Sequence, residues 1–449
     1  MSLSRFFENN QFQNQTAIIS EKLTLNYNDK INKINNISKL SFIIYSSNLS
    51  FVFCNLLKID GCAKAVCLLP VGLEFNELSS ILQSYKFDFI ITDEEIIFNK
   101  KFDLIILKNV DEILRLKFNE FRKDHNYEKI ETNWLIPTSG TTGTPKLVIH
   151  TFLSLTNSLK RSSNKSDIRN WGLLYDHCRF AGLQVILQSL FNHDKLIAPK
   201  NIWPLDKKLS FLKLNKCNYL SATPTLWRKI LMSEYSNQMD FKQITLGGES
   251  ADQIILSNLK KQYPNARITH VYASTEFGVV LSASDIKEGF PKSYLNKNHN
   301  GFSLKIDKNE LLIKNKILKG RYTTGKNFLN NDNWINSGDI VKIKEGRIII
   351  TGRINGLIIV GGDKIMPNEV KKTLLGCDIV SDAIVYGKSS PITGQLVAAK
   401  IALKDKDIDN EKAKLIILNY SKKYLKRFEL PRYINIVDDI SINDSGKGV

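Results

Sequence analysis

Up to about Leu311 the chain alternates short, wholly apolar runs with segments of helical spacing, and few folds accept that texture. Phe87–Asp93 (FDFIITD) and Phe102–Lys108 (FDLIILK) read as two strands of one sheet, buried on both faces. Leu104–Leu107, Thr245–Gly247 and Arg267–Tyr272 read as strands closed by glycine or polar residues, while Leu153–Leu159 and Ile254–Gln262 have helical spacing. The fold class expected is α/β with several sheets. No long-period repeat is present, which excludes a solenoid. From Leu311 the pattern turns to short alternating strands. Asp339–Lys344 and Arg347–Thr351 flank Glu345-Gly346, a hairpin turn. A second, smaller α+β pattern then runs through strand-like Leu357–Val360, a helix opening at Pro367, strand-like Ile384–Tyr386, a helix over Glu411–Lys426 and a strand over Tyr433–Val437. The division expected is a large domain over 1–353 and a small mobile one over 354–449.

With 43% hydrophobic residues in 449, the chain is too apolar for a disordered polyelectrolyte. Its net charge of +18 raises nucleic acid as a partner. Yet the lysines are spread among Asn and Ile without a run of five basic residues, so we read the charge as compositional background and expect no nucleic acid. The six cysteines contain no C-x-x-C and read as reduced, mostly buried thiols in a cytosol. The N-terminus lacks a basic region followed by an apolar run, so no secretory leader is expected. The most apolar stretch, Ser41 to Ile59, is broken by Ser, Asn and Lys and is too short to span a membrane; the expected location is the cytoplasm.

After strand-like Trp134-Leu135-Ile136 comes Pro137-Thr138-Ser139-Gly140-Thr141-Thr142-Gly143-Thr144-Pro145-Lys146. Its hydroxyls, glycines and closing lysine describe a loop that wraps a polyphosphate. Glycines permit close backbone approach, N–H and hydroxyl groups donate to phosphoryl oxygens, and lysine adds a positive charge. The Walker pattern is not satisfied.

This segment resembles the phosphate loop of the adenylate-forming superfamily, which holds acyl-CoA synthetases, luciferases and peptide-synthetase adenylation domains. Further segments follow in the superfamily's order. Leu25-Asn26-Tyr27 and Leu57–Ala63 are similar to its two N-terminal motifs, and Gly247-Gly248-Glu249 resembles its adenine-pocket turn. Tyr272-Ala273-Ser274-Thr275-Glu276 resembles Tyr-Gly-x-Thr-Glu, with Ala273 for the usual glycine. The resemblance implies that Tyr272 packs on adenine, Thr275 contacts the α-phosphate and Glu276 holds Mg²⁺. An aromatic face for a base, a hydroxyl for phosphate and a hard oxygen for a hard cation suit those tasks. Ser337-Gly338-Asp339 looks like Thr-Gly-Asp, whose carboxylate accepts the ribose hydroxyls.

Gly352–Ile365 resembles the superfamily's hinge segment. The implied roles are Arg353 at the ribose and phosphates, Asn355 as hinge in place of Asp, and Gly361 and Gly362 in the thiol tunnel; Ile359 stands where a lysine is usual. Asn443-Asp444-Ser445-Gly446-Lys447 resembles the terminal Ser-Gly-Lys whose lysine serves adenylation. An ammonium is needed there because attacking carboxylate and phosphate are both anionic. The sequence ends two residues later, where the resemblance leads one to expect a longer tail.

The resemblance implies ATP-dependent activation of a carboxylic acid to an acyl-AMP, with pyrophosphate release and transfer to a thiol. Lys146, Thr275, Glu276 and Lys447 are the implied catalytic residues. ATP, Mg²⁺ and coenzyme A are the implied partners, with a separate phosphopantetheine carrier protein as the other acceptor and a non-catalytic nucleotide- or nucleic-acid-binding protein as a distant alternative. The acid pocket falls on Leu174–Gln184. Aligned on Gly182, Arg179 replaces a histidine and offers a cation to a second polar head on the acid. Aligned on Tyr175-Asp176, the segment resembles amino-acid adenylation domains, whose Asp binds the amino group. A simple Asp176–Arg179 ion pair is the third reading. Thr225-Leu226-Trp227-Arg228 and the compact length are also similar to o-succinylbenzoate–CoA ligases.

Overall fold

The computed structural model describes the chain apart from residues 1, 8–14, 22–23, 28, 30–31, 35, 96–103, 116–128, 139–145, 162–166, 300, 316–320, 323–333, 444–445 and 449. Two large, mainly parallel sheets carry its N-terminal part. One orders its strands Gly278–Ala283, Arg267–Ser274, Gln243–Leu246, Tyr219–Ala222, Asn170–Leu173, Lys195–Ala198, Thr16–Ser20 and Thr24–Asn26. Only its two outermost pairings are antiparallel. The other is seven-stranded and centred on Ser41–Tyr45, Ala65–Leu69 and Asn133–Pro137. Strands such as Ala65–Leu69 and Phe89–Thr92 are buried at every residue, which explains their unbroken apolar sequence.

The broken apolar stretch resolves into a strand, Ser41–Tyr45, and a helix, Leu49–Ile59, capped by the Asn48 side chain. Among the described residues no helix is long and apolar enough to cross a membrane. Trp134 is fully buried, and its Nε1–H donates to Asp60 Oδ1 at 2.9 Å, while Asp60 Oδ2 accepts from the Leu3 amide. Five of the six cysteines are buried; Cys54 is exposed.

A five-stranded antiparallel sheet follows, built on Ile335–Lys344 and Arg347–Arg353. Their turn is Glu345-Gly346, both residues at positive φ, with Lys344 opposite Arg347. Arg353 ends the last of these strands. A single 3₁₀ turn, Ile354–Gly356, leads to Ile358, where the C-terminal sheet begins. That sheet joins Asp363–Ile365, Ile358–Val360, Gly394–Leu403 and Val380–Ser390, with Tyr433–Val437 alongside Gly394–Leu403. Helices Pro367–Leu375 and Asn410–Ser421 cover it, and it has its own apolar core around Leu374, Ile401 and Ile417.

Candidate active site

A cavity of about 2010 Å³ runs along one face of the eight-stranded sheet, from Arg169, Lys242 and Arg267 at the amino ends of its strands to Gly247 and Ser274 at their carboxyl ends, and meets the C-terminal part of the chain at Lys447. The carboxyl ends of parallel strands are where α/β folds place ligands. The cavity contains most of the sequence-predicted residues. Thr138 lies at its edge. Thr138 N–H donates to the Lys146 carbonyl at 2.8 Å and Lys146 N–H returns a bond to Thr138 Oγ1, so the two residues close the neck of the glycine-rich loop. Ser139, Gly140, Thr141, Thr142 and Gly143 lie outside the described residues.

Gly247, Gly248 and Glu249 follow the strand Gln243–Leu246 and line the cavity. Gly248 has φ +82°, and a Cβ there would lie 3.7 Å from Lys447 Cε. Tyr272 to Glu276 run along the next strand and its exit, also on the cavity wall. The register against Gly278–Ala283 shifts between Tyr272 and Ala273, as at a β-bulge. The Tyr272 ring is mostly buried in a cluster with Phe277 and Phe290. Its hydroxyl donates to Asp339 Oδ2 at 2.5 Å, and Arg353 Nε donates to Asp339 Oδ1 at 3.0 Å. Asp339 and Arg353 stand directly opposite each other in the antiparallel register, which fixes the pair. Gly338 has φ +71° with no atom within 4 Å of a would-be Cβ, so the backbone angle is what requires glycine.

The tail arrives from the opposite side. The Thr223 hydroxyl, which also caps helix Pro224–Met232, donates to the Gly446 carbonyl. Gly448 N–H donates to Glu249 Oε1 at 3.1 Å, and Glu249 Oε2 accepts from Thr225 N–H. The residues on either side of Lys447 are therefore tied to the N-terminal part. Further ties are Lys372–Glu288 at 2.5 Å and the Lys229–Asp439 and Lys342–Glu369 pairs. Burial first, and Arg353 second, push the Lys447 ammonium below the ordinary lysine range; Glu249, Asp339 and Glu276 act the other way. The sequence named Lys447 but not its anchors, since Thr223 and the Glu249 carboxylate act through bonds between residues more than 190 positions apart.

His150 was legible only as a packed residue. It is buried, and its Nε2 lies 2.6 Å from the Thr275 carbonyl, so the neutral ring's N–H donates there and holds the Thr275 segment. Burial lowers its pKa to about 4, with the Thr275 bond opposing. A pKa below the unfolded value of about 6.5 means that this contribution to stability is complete above pH 6.5 and is lost as pH falls toward and through about 4. Thermal melts from pH 7 to pH 5 should show a steeper acid loss for the native chain than for His150→Gln, by about 2 kcal/mol. Asp194, raised to about 6 by burial, works in the opposite direction in both proteins and cancels in the difference.

The acid-pocket residues divide. Arg179 lines the cavity, as do Tyr175 and Phe180. Asp176 and Gly182 do not. Asp176 Oδ1 accepts the Cys178 N–H at 2.8 Å, and the Asp176 backbone packs on the first turn of helix Phe180–Phe191 at Gly182. An Asp176–Arg179 ion pair is not formed; the two are joined only by Arg179 N–H to the Asp176 carbonyl. The ligand atoms of Asp176, His177 and Cys178 lie within 4.8 Å of one another, but this carboxylate and the His177 ring, at Ser46 and Asn201, have protein partners. A Cβ on Gly182 would sit 2.1 Å from the Asp176 carbonyl oxygen, so Gly182→Ala must open the turn. We expect it to lose about 3 kcal/mol or more in urea unfolding.

Gly361 and Gly362 lie away from the cavity in this arrangement; the thiol tunnel expected of them belongs to the arrangement reached after the small domain turns. They form the two-residue turn between Ile358–Val360 and Asp363–Ile365, at φ +58° and +96°, exposed. Asn355 sits in the exposed 3₁₀ turn without a positive φ.

Comparison with known proteins matches residues 37–308 to the AMP-binding enzyme family and residues 369–447 to the AMP-binding enzyme C-terminal domain. The oxalate–CoA ligase of Saccharomyces cerevisiae is 26% identical over 339 residues, 70% of this chain, which thereby spans 61% of that enzyme's length. The 2-succinylbenzoate–CoA ligase of Oceanobacillus iheyensis is 25% identical over 413 residues, 85% of this chain and 81% of that one. In fold, the chain is similar to the o-succinylbenzoate CoA synthetase from Bacillus subtilis in complex with an acyl-adenylate intermediate. The TM-score is 0.71 at 20% identity, over 98% of this chain and 95% of that chain.

Proposed function

The chain belongs to the AMP-binding enzyme family, and from that membership we propose that it joins a carboxylic acid to ATP, releases pyrophosphate, and passes the acyl group to the thiol of coenzyme A. The observation that carries this reading is the anchored tail. Gly446 and Gly448 are both held by the N-terminal part, so the half-buried Lys447 stands beside Gly248, within electrostatic reach of Arg353, Asp339 and Glu276.

In the first half-reaction an acid oxygen attacks the α-phosphorus, the bond to the bridging oxygen breaks, and pyrophosphate leaves. The ammonium of Lys447 lies between two anions and stabilises the charge that builds as they meet. Asp339 is the acceptor for ribose hydroxyls, with Arg353 paired to its carboxylate. Tyr272 orients Asp339 through its hydroxyl. Lys146 and the loop it closes serve the outer phosphates. Glu276 suits Mg²⁺: a carboxylate on the cavity wall is a hard donor, and this ion is commonly held by one or two carboxylates together with phosphates. When bound, Mg²⁺ offsets phosphate charge.

For the second half-reaction residues 354–449 turn as a unit about Asn355. The turn withdraws Lys447 and brings Gly361 and Gly362, here exposed, toward the acyl-AMP so that a thiol can reach it. The 3₁₀ turn Ile354–Gly356, the single connection between the five-stranded and C-terminal sheets, supports that hinge.

The test is pyrophosphate release with a broad panel of carboxylic acids, followed by mass spectrometry of the products with coenzyme A. Release that requires an acid, with AMP and an acyl-CoA as products, is the expected result. Absence of release with every acid, although ATP binds, sinks the reading.

A further inference from the structure

We propose that Arg179 selects the acid: its guanidinium receives a second anionic group on the body of the substrate, so dianionic acids are activated in preference to monocarboxylates of matched size. This rests on the acid-activation reading and adds the substrate class to it.

Arginine stays charged at any physiological pH, so an enclosed guanidinium without an anion is costly. Arg179 is half-buried, and its Nε is enclosed without a hydrogen-bond partner; no ion pair to it is found among the described residues. The neighbouring acid that could have served, Asp176, is bonded to the Cys178 amide. The guanidinium nevertheless lines the main cavity.

Arg179 stands at the head of helix Phe180–Phe191, an element that carries none of the residues assigned to the nucleotide. It is the N-cap residue of helix Phe180–Phe191 without a capping side-chain bond, so the positive end of a twelve-residue helix adds to its own charge. Phe180, next in sequence, packs on His150, which holds Thr275. An acid whose reacting carboxylate approaches Thr275 and Lys447 would thus have its body along the wall that starts at Arg179.

The experiment pairs acids that differ by one carboxylate: isophthalate and terephthalate against benzoate, glutarate and adipate against valerate and hexanoate. Calorimetric binding and pyrophosphate-release kinetics are measured for the native enzyme, Arg179→Gln and Arg179→Lys. We expect at least one dicarboxylate to be preferred about tenfold or more in Kd and in kcat/KM. That ratio should fall toward one in Arg179→Gln, be partly kept in Arg179→Lys, and leave the KM for ATP unmoved. No dicarboxylate preference in the native enzyme, a preference that survives Arg179→Gln, or an effect confined to the KM for ATP overturns the inference. Arg179-dependent binding without pyrophosphate release would uphold this assignment and sink the adenylation reading, so the two failures are distinguishable.

Discussion

Replacing Lys447 by alanine is expected to cut acid-dependent pyrophosphate release by about 10²–10³-fold, with a smaller change in the KM for ATP. The expectation follows from what the ammonium does. It stands where two anions must meet, so its contribution grows as charge builds and acts mainly on kcat. Its position is tied to the N-terminal part through its neighbours: Gly446 through the Thr223 hydroxyl and Gly448 through Glu249. Removing one anchor should therefore mimic part of the loss while leaving the charge in place. Thr223→Val is expected to lower kcat by about tenfold, as a small misplacement of a reacting group does. A Lys447→Ala enzyme with native pyrophosphate release would show that the tail is a structural clasp.

Replacing Asp339 by alanine should raise the KM for ATP and lower kcat/KM by about 10²-fold, read from the ATP dependence of the same assay. Asp339 is 5% exposed and accepts from both Tyr272 and Arg353. Its removal leaves the buried Tyr272 hydroxyl without that acceptor and frees Arg353 from its place. Arg353 is about half exposed and can turn to water, so the stability loss should stay near about 1–2 kcal/mol. Asp339→Asn preserves the shape and removes the charge. A weakened ATP interaction in that variant too would identify the anion, rather than packing, as the requirement.

Much of the framework was legible because local rules and the final fold agree. Glu345-Gly346 turns where a two-residue hairpin demands positive φ, Pro367 opens its helix, and Tyr433–Val437 is a strand at the expected bounds. The misses have local causes. The helix expected over Leu153–Leu159 spans only Phe152–Thr156, and that expected over Glu411–Lys426 runs from Asn410 and stops at Ser421. Ile384–Tyr386 is the middle of a longer strand, Val380–Ser390, whose polar end continues as a hairpin arm paired with Gly394–Leu403.

At the site, sequence order carried the residues whose roles depend on main-chain turns: Gly248, Gly338, Asp339 and Lys447. It could not carry directions. Asp176 and Arg179 are three positions apart, yet a backbone bond between them leaves one carboxylate on a turn amide and the other side chain on the cavity. Nor could it show that His150 holds Thr275 across 125 positions of chain. Many basic residues line the cavity, and of these the proposed chemistry uses Arg179, Arg353 and Lys447, with Lys146 at the loop neck.

Adenylation bonds an acid oxygen to the α-phosphorus of ATP, and a substrate acid labelled in its carboxylate with ¹⁸O makes that bond visible by mass spectrometry of the nucleotide released on thiol transfer. AMP carrying one ¹⁸O atom is expected, because the acyl–oxygen bond is cleaved by the thiol and the label leaves on phosphorus. Unlabelled AMP, or label found in inorganic phosphate beside ADP, would contradict it.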